Sequence, residues 1–451
     1  MICVKLRRLS VFKLYGSYCY DVDFNNDITF IYGLNGCGKT TVLNITEAII
    51  TGNLFNLFDY VFEKIDLLYY NDDTEDVISI KRNDNVLKVT FKDEKYEIFK
   101  IGDEEIEDSF SGNQFYKKMK RYFETNPVLQ KINNTFNYVY LPLNRSTKYD
   151  MKYEDYRMAY RSPYYRRRVT SNLRNVPDSK RDKALNDIEL LVMDTIVKMN
   201  TQIANINDTF RNTILKSSLD IVNDDLSDFK KHINEYDKNK IEKISKSYIK
   251  LLSDFNIVTD EEKEQYKDFF AQLIKESEME NSEDYNILGN LIFKYKELVR
   301  IERFTEIASK AEKQKERIRS NVKLFEETIN RFIDNAEDHK KIVISNEGAI
   351  GFMTENSSDM ISVHYLSSGE RQLLIFFANL IFAVDNTKNG IFVVDEPELS
   401  LHLSWQKIFV ESAIKINPNI QMIFATHSPE FVGKYRDRMF KLEKKYIVKE
   451  G

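Results

Sequence analysis

The segment that most constrains this chain is Gly33-Leu34-Asn35-Gly36-Cys37-Gly38-Lys39-Thr40, set between an apolar run and an amphipathic one. It fits G-x-x-x-x-G-K-[ST], and its context gives the match weight. Ile28-Thr29-Phe30-Ile31-Tyr32 before it reads as a buried strand; Lys39 to Thr51 after it reads as a helix with Val42, Leu43, Ile45, Ala48 and Ile49 on one stripe. Glycines let the backbone curl until successive N–H groups point at an anion, and the helix N-terminus adds partial positive charge. The spacing predicts a phosphate cradle in which Lys39 reaches the outer phosphates and the Thr40 hydroxyl binds Mg²⁺, with Asn35, Gly36, Gly38 and Thr41 completing the set. A tight glycine-rich turn without a ligand is the alternative for the loop alone.

The second constraint is distance along the chain. Ile391-Phe392-Val393-Val394-Asp395-Glu396 is an apolar strand ending in two carboxylates, of which Asp395 would hold Mg²⁺ and Glu396 would polarise an attacking water. Asp395 stands 355 residues after Thr40, too far for a compact nucleotide fold unless something large is inserted. Residues 149–340 supply the insertion: Gly289 is their only glycine, Pro163 and Pro177 their only prolines, and charged and apolar residues recur at helical spacing. Ile318, Val322, Phe325, Ile329 and Phe332 follow a 4-3-4-3 spacing, the seam of a coiled coil or of an ordinary bundle helix. One helix from Ser282 to Asn335 would reach about 80 Å.

On either side, strand patterns dominate. Val77 to Ile101 reads as an antiparallel hairpin or meander broken at Asn83-Asp84-Asn85 and Asp93-Glu94, and Tyr138-Val139-Tyr140-Leu141 as a core strand stopped by Pro142. Lys341 to Ser345 and Met360 to Tyr365 read as strands. Leu373 to Ala383 reads as an apolar helix. Strands and helices then alternate through Gly390–Val394, Leu403–Ile416, Gln421–Ala425 and Met439–Val448. Alternation of this kind predicts a largely parallel sheet covered by helices. The expected fold is α/β, with residues 1–148 and 341–451 joined into one head and 149–340 projecting as a helical arm.

Two further segments narrow the reading. Leu366-Ser367-Ser368-Gly369-Glu370-Arg371-Gln372 opens an apolar helix, and Ser367, Gly369 and the helix N-terminus form a second potential anion cradle; a plain helix cap with Glu370 in the first turn serves locally as well. Ile423-Phe424-Ala425-Thr426-His427-Ser428-Pro429 puts a histidine at the end of the next strand. With these four motifs in this order, the two ends of the chain resemble the ABC-type ATPase head of the RecF, structural-maintenance-of-chromosomes and overcoming-lysogenization-defect group of AAA-family ATPases.

The resemblance implies ATP and Mg²⁺ as ligands, Ser367, Gly369 and Glu370 as a signature that meets the γ-phosphate held by another head, and His427 as a switch that orients the catalytic water. One phosphate loop and one signature per chain then imply a head-to-tail homodimer or a larger even assembly. Departures from the group are Ser368 in place of the usual first glycine of the signature pair, His402 where chromosome-maintenance heads carry aspartate, and Asn144 where a Mg²⁺-sensing glutamine is usual.

Partners are less constrained. A net charge of −5 gives no global attraction to nucleic acid or anionic membranes, and three cysteines without metal-ligand spacing fit a reducing cytoplasm. No signal-peptide pattern and no apolar run long enough to span a bilayer is seen, so a cytoplasmic chain without a membrane is expected. Arg157 to Arg168 mixes five arginines with three tyrosines, a candidate contact for DNA, tRNA or a phage protein, or a solvated face paired with Glu154 and Asp155. The head, the Tyr140-Leu141-Pro142-Leu143-Asn144-Arg145 segment and the modest arm resemble the ATPases of anti-phage systems of the PARIS or Septu type. That resemblance implies a sensor and scaffold acting on a separate nuclease or toxin, since the 24 residues after His427 are few for an appended nuclease. A DNA-tethering repair or chromosome-maintenance ATPase is the alternative.

Overall fold

The computed structural model describes residues 4–72, 74–100, 122, 125–142, 182–219, 236–254, 258–277, 285–334, 339–355, 357–383 and 390–446. Asn144 and the Arg157–Arg168 stretch lie outside them. The chain divides into two compact units, Met1–Ile196 with Asn321–Gly451, and Val197–Ser320.

The first unit is organised by a five-stranded sheet in which every pairing is parallel. Its order is β14 (Met439–Lys441), β3 (Ile28–Tyr32), β13 (Gln421–Ala425), β12 (Ile391–Asp395), β8 (Tyr138–Leu141). Strands from the two ends of the chain interleave: β3 lies between β13 and β14, and β12 between β13 and β8. A parallel strand covered on both faces must be apolar throughout, and all of β12 and β13 is buried. Alternate side chains go to opposite faces. Ile31, Ile391, Val393, Ile423 and Ala425 share a core with the stripe of helix α1 (Lys39–Ile50).

Phe30, Phe392 and Phe424 face the other way, into an aromatic layer. There Phe376 lies 4.2 Å from Phe409 and 5.0 Å from Phe392, and Phe424 lies 5.4 Å from Phe431. Each such ring contributes about 1.5–3 kcal/mol by burial.

Among the described residues antiparallel pairing is confined to two other sheets. The larger has seven strands in the order β15 (Lys445–Tyr446), β2 (Tyr18–Asp23), β1 (Val4–Leu14), β4 (Lys64–Asn71), β5 (Thr74–Asn83), β6 (Val86–Phe91), β7 (Glu94–Phe99). The β5–β7 meander occupies the stretch where the sequence expects one. Its second turn, Lys92-Asp93, has both residues at positive φ, 49° and 64°, the twist that suits a two-residue hairpin. The smaller sheet is β9 (Lys341–Ile344), β10 (Ile350–Thr354) and β11 (Ser357–Ser362). The strand expected through Tyr365 ends at Ser362, whose Oγ accepts from the His364 N–H at 3.4 Å and starts a 3-10 turn over Val363–Tyr365.

The remaining α-helices among the described residues are α2 (Pro127–Thr135), α3 (Lys183–Leu219), α4 (Lys238–Asp254), α5 (Asp260–Ser277), α6 (Tyr285–Ile333), α7 (Ser368–Ala378), α8 (Leu403–Ile416) and α9 (Pro429–Val432). The unit boundaries fall inside α3 and α6. α6 has 49 residues, about 74 Å. Phe325, Ile329 and Phe332 of the expected seam are fully buried, with Phe325 5.1 Å from Phe382 and Phe332 5.3 Å from Phe377. This end of the seam therefore packs into the core of the first unit. Val197–Ser320 has its own core of Ile241, Ile244, Phe270, Leu273, Leu298 and Ile301.

One buried side chain ties the parallel sheet to β1. Gln421 is fully buried; its Oε1 accepts from the Leu6 N–H at 2.7 Å, and its Nε2 donates to the Leu6 and Asn25 carbonyls at 2.8 Å each. Gln421→Ala leaves those backbone groups without partners. It is expected to lower unfolding free energy by about 2–4 kcal/mol, read from urea midpoints. A loss below about 0.5 kcal/mol, the range of an indifferent surface change, would show that the joint is not structural.

Candidate nucleotide-binding site

The parallel sheet delivers the loops after β3, β12 and β13 to one edge, since parallel strands end on the same side. After β3 the chain turns through Gly33–Gly38 into α1. Gly36 and Gly38 adopt φ of 77° and 106°, values that side chains rarely accept. A Cβ on Gly38 would also lie 2.5 Å from the Tyr20 hydroxyl, which donates to the Cys37 carbonyl at 2.9 Å. Burial pushes the Tyr20 phenol up to about 12, so it remains a donor. Gly38 is the N-cap of α1, and no side chain caps the helix. The first-turn N–H groups are left to an external acceptor.

Five polar side chains from three distant segments converge there. Thr40 Oγ1 donates to Asp395 Oδ2 at 2.9 Å. Lys39 Nζ donates to the Gly33 carbonyl at 3.2 Å and lies 2.5 Å from His427 Nε2. An ammonium can only donate, so His427 presents a lone pair at Nε2. Glu396 Oε1 is 3.6 Å from the same nitrogen, beyond hydrogen-bond length. Glu396 holds φ of 47°, uncommon for a residue with a side chain, and is pinned by its N–H to the Ala425 carbonyl at 2.8 Å.

Asp395 is 2% exposed, and burial pushes its carboxyl above the usual range. The Thr40 hydrogen bond opposes that shift, the Glu396 charge adds to it and Lys39 opposes it. Its second oxygen, Oδ1, is buried with no hydrogen-bond partner among the described residues. A buried carboxylate oxygen without a partner, next to a threonine hydroxyl, fits a small hard cation. Among the described residues no group of three or more His, Cys, Asp or Glu could form a metal cage. Mg²⁺ requires none, being held by one or two carboxylates with substrate phosphates and water.

The structure thus gathers Gly36, Gly38, Lys39, Thr40, Asp395, Glu396 and His427. Asn35 is exposed on the same loop and Thr41 follows on α1. Ser367, Gly369 and Glu370 stand apart. Among the described residues, no hydrogen bond or ion pair connects them to Lys39, Thr40 or Asp395. Ser367 caps α7 in a capping box: its Oγ accepts from the Glu370 N–H at 3.4 Å, and Glu370 Oε2 accepts from the Ser367 N–H at 2.7 Å. Glu370 Oε1 takes Lys340 Nζ at 3.2 Å, so both its oxygens are engaged. Gly369 is required by close approach, since a Cβ there would lie 2.6 Å from the Ser400 carbonyl oxygen. Ser367 itself is exposed. His402 caps α8 through Nδ1, which accepts from the Ser404 N–H at 3.3 Å.

Sequence reasoning passed over Glu398. Its Oε1 accepts from Thr426 Oγ1 at 2.7 Å, the His427 N–H at 2.7 Å and the Ser428 N–H at 3.2 Å, clamping the turn that carries His427 to the turn that carries Glu396. The other side of the clamp is Gln372 of α7, which donates to the Pro397 carbonyl. The available signal was an acid two residues beyond Glu396 in Pro397-Glu398, which gives no hint of its partners 28 to 30 residues on.

The sheet edge thus brings together a glycine-rich loop opening a helix, an acid pair and a histidine, chemistry suited to phosphates and a hard cation. Residues 9–432 match the AAA ATPase domain, and the chain belongs to that family. It is 30% identical over 116 residues to the Retron Vc95 probable ATPase of Vibrio cholerae serotype O1 biovar El Tor, covering 24% of this chain and 22% of that one. It is 33% identical over 92 residues to the Retron Ec83 probable ATPase of Escherichia coli, covering 18% and 17%. The matched segments thus span about a fifth of the length of these relatives. Among solved structures it is similar to an Smc head domain with an extended coiled coil from Pyrococcus furiosus, with a TM-score of 0.41, 12% identity and coverage of 98% and 96%. No helix among the described residues is long and apolar enough to cross a membrane.

Glu398→Ala removes the acceptor of three donors and is expected to cost about 2–3 kcal/mol of stability. It should lower ATP turnover more than ATP affinity, because the groups it holds lie past the phosphate loop. Paired measurements of kcat and nucleotide Kd check this, and a loss confined to Kd would contradict it.

Proposed function

We propose that this chain binds ATP with Mg²⁺ and hydrolyses it in a site completed by a second copy. We propose further that the resulting oligomer is the sensor and scaffold of an anti-phage system, governing a separate nuclease or toxin. The observation that carries the ATPase reading is the Thr40–Asp395 hydrogen bond, with the unpartnered Asp395 Oδ1 beside Lys39, Glu396 and His427.

In this reading Lys39 leaves the Gly33 carbonyl and His427 Nε2 for the outer phosphates of ATP, while the first-turn N–H groups of α1 take the inner ones. Thr40 and Asp395 supply the oxygens that hold Mg²⁺. When bound, the metal neutralises charge on the β- and γ-phosphates. Release of Lys39 frees the Nε2 lone pair of His427 to accept a hydrogen bond from the attacking water beside the γ-phosphate and so orient it. Glu396, held at the turn, accepts the proton of the attacking water.

The in-trans part of the reading is supported by the exposed Ser367 at the start of α7 and by its lack of contact with the chain's own phosphate loop. The defence role is supported by similarity to the two retron ATPases and by the resemblance of the motifs to anti-phage ATPases.

Glu396→Gln tests the base directly. Turnover is expected to fall by roughly 100-fold or more, with ATP affinity within a few fold of the parent and ATP retained on the protein. Normal turnover in this variant would contradict the assignment.

A further inference from the structure

The unit Val197–Ser320 holds a groove that the ATPase chemistry does not use. It has a volume of about 950 Å³ and lies between α4 and α6. α4 lines it with Lys240, Lys243, Ile244, Ser247, Lys250 and Leu251, the i, i+3, i+4, i+7 pattern of one helix face. On α6 the same spacing brings Glu302, Thr305, Glu306, Ser309, Lys310 and Lys313 to it. Ile244 and Ala308 are buried and form an apolar floor, while Lys243, Lys250, Lys310 and Lys313 are exposed on the walls.

The charge of this groove is not balanced from within. Lys240 pairs with Glu302 at 3.1 Å and Lys315 with Glu312 at 3.2 Å. Among the described residues Lys243, Lys250, Lys310 and Lys313 have no ion pair, and Glu306 is the one remaining acid of the lining. A positive excess of three is thus concentrated on two facing walls of a chain whose net charge is −5. Facing cationic walls focus field on the space between them, and the hydroxyls of Ser247 and Ser309 add neutral donors.

Among the described residues the lining contains no arginine to grip one phosphate bidentately and no aromatic ring on which a base could stack. We propose that this groove binds a linear polyanion with successive phosphate groups, held through its backbone by Lys243, Lys250, Lys310 and Lys313 without reading of sequence. The four lysines lie along about 10 Å of α4 and about 5 Å of α6, enough for several consecutive phosphates.

The test uses the full chain with saturating ADP, so that the nucleotide site is filled. A labelled oligothymidylate of about 12 nucleotides is followed by anisotropy, and sodium tripolyphosphate is titrated by calorimetry. Three variants are compared: Lys243, Lys250, Lys310 and Lys313 all to Glu; the same four all to Gln; and a control with Lys81, Lys95, Lys407 and Lys415 all to Glu, which changes net charge equally at exposed sites elsewhere. The groove-Glu variant is expected to lose affinity at least about tenfold and to flatten the salt slope by about 3. The Gln variant should fall between it and the parent, and the control should stay near the parent.

Loss seen with the oligonucleotide identifies a nucleic-acid backbone as the source of the phosphates. Loss seen only with tripolyphosphate identifies a free oligophosphate. Binding of neither probe to the parent, or equal losses in the groove and control variants, would overturn the proposal. The ATPase reading would stand in either case.

Discussion

The structure depends on the parallel pairing of β3 with β13, in which Ile28, Thr29, Phe30 and Ile31 meet Met422, Ile423, Phe424 and Ala425. It closes nearly the whole chain into a loop, a costly contact in conformational entropy that grows only slowly with length. Fully buried apolar strands offset that cost: β12 and β13 have no exposed residue, and phenylalanines from three strands interlock with those of α7, α8 and α9 beneath them. Gln421 extends the joint to β1, so the seven-stranded sheet is fixed to the same frame.

Chemistry follows from that pairing. With β3 and β13 in register and β12 beside β13, the residues just past each strand end come to one edge, and Thr40 finds Asp395 across 355 positions of sequence. The edge is held by polar clamps. Tyr20 supports the phosphate loop, Glu398 fastens the His427 turn, and Ser428 Oγ donates to Gln406 of α8 at 2.7 Å. Gln372 joins α7 to Pro397, one residue past Glu396. Movement at the start of α7 therefore has a short covalent and hydrogen-bonded path to the turn bearing the acid pair.

Much of this frame was legible in the sequence, because its signals are local. Leu403–Ile416 and Gln421–Ala425 are bounded by the same residues in sequence and structure, since apolar runs of those lengths between polar breaks leave few alternatives. The glycines of the phosphate loop, the Asp395-Glu396 pair and His427 were equally visible as residues that apolar strands do not need. The supports were not. Tyr20, Glu398 and Gln421 look like ordinary polar residues until partners from other elements are known. The seam from Ile318 to Phe332 showed helix and apolar face but not their target, and its last turns pack on Phe377 and Phe382. Ser367 and Glu370 read equally as signature and as cap only locally, with the order of the motifs before Asp395 favouring the signature, and the structure shows the capping box with Ser367 exposed.

The central claim is that the phosphate loop and the Ser367 segment work together only between copies. It is tested most directly by mixing two inactive chains, Lys39→Ala and Ser367→Arg, and measuring steady-state ATP hydrolysis. In a head-to-tail pair each mixed dimer contains one intact site, so an equal mixture is expected to recover about a quarter of the parent rate, while each variant alone stays near zero. A mixture no more active than its separate components, or full activity in Ser367→Arg alone, would contradict the account.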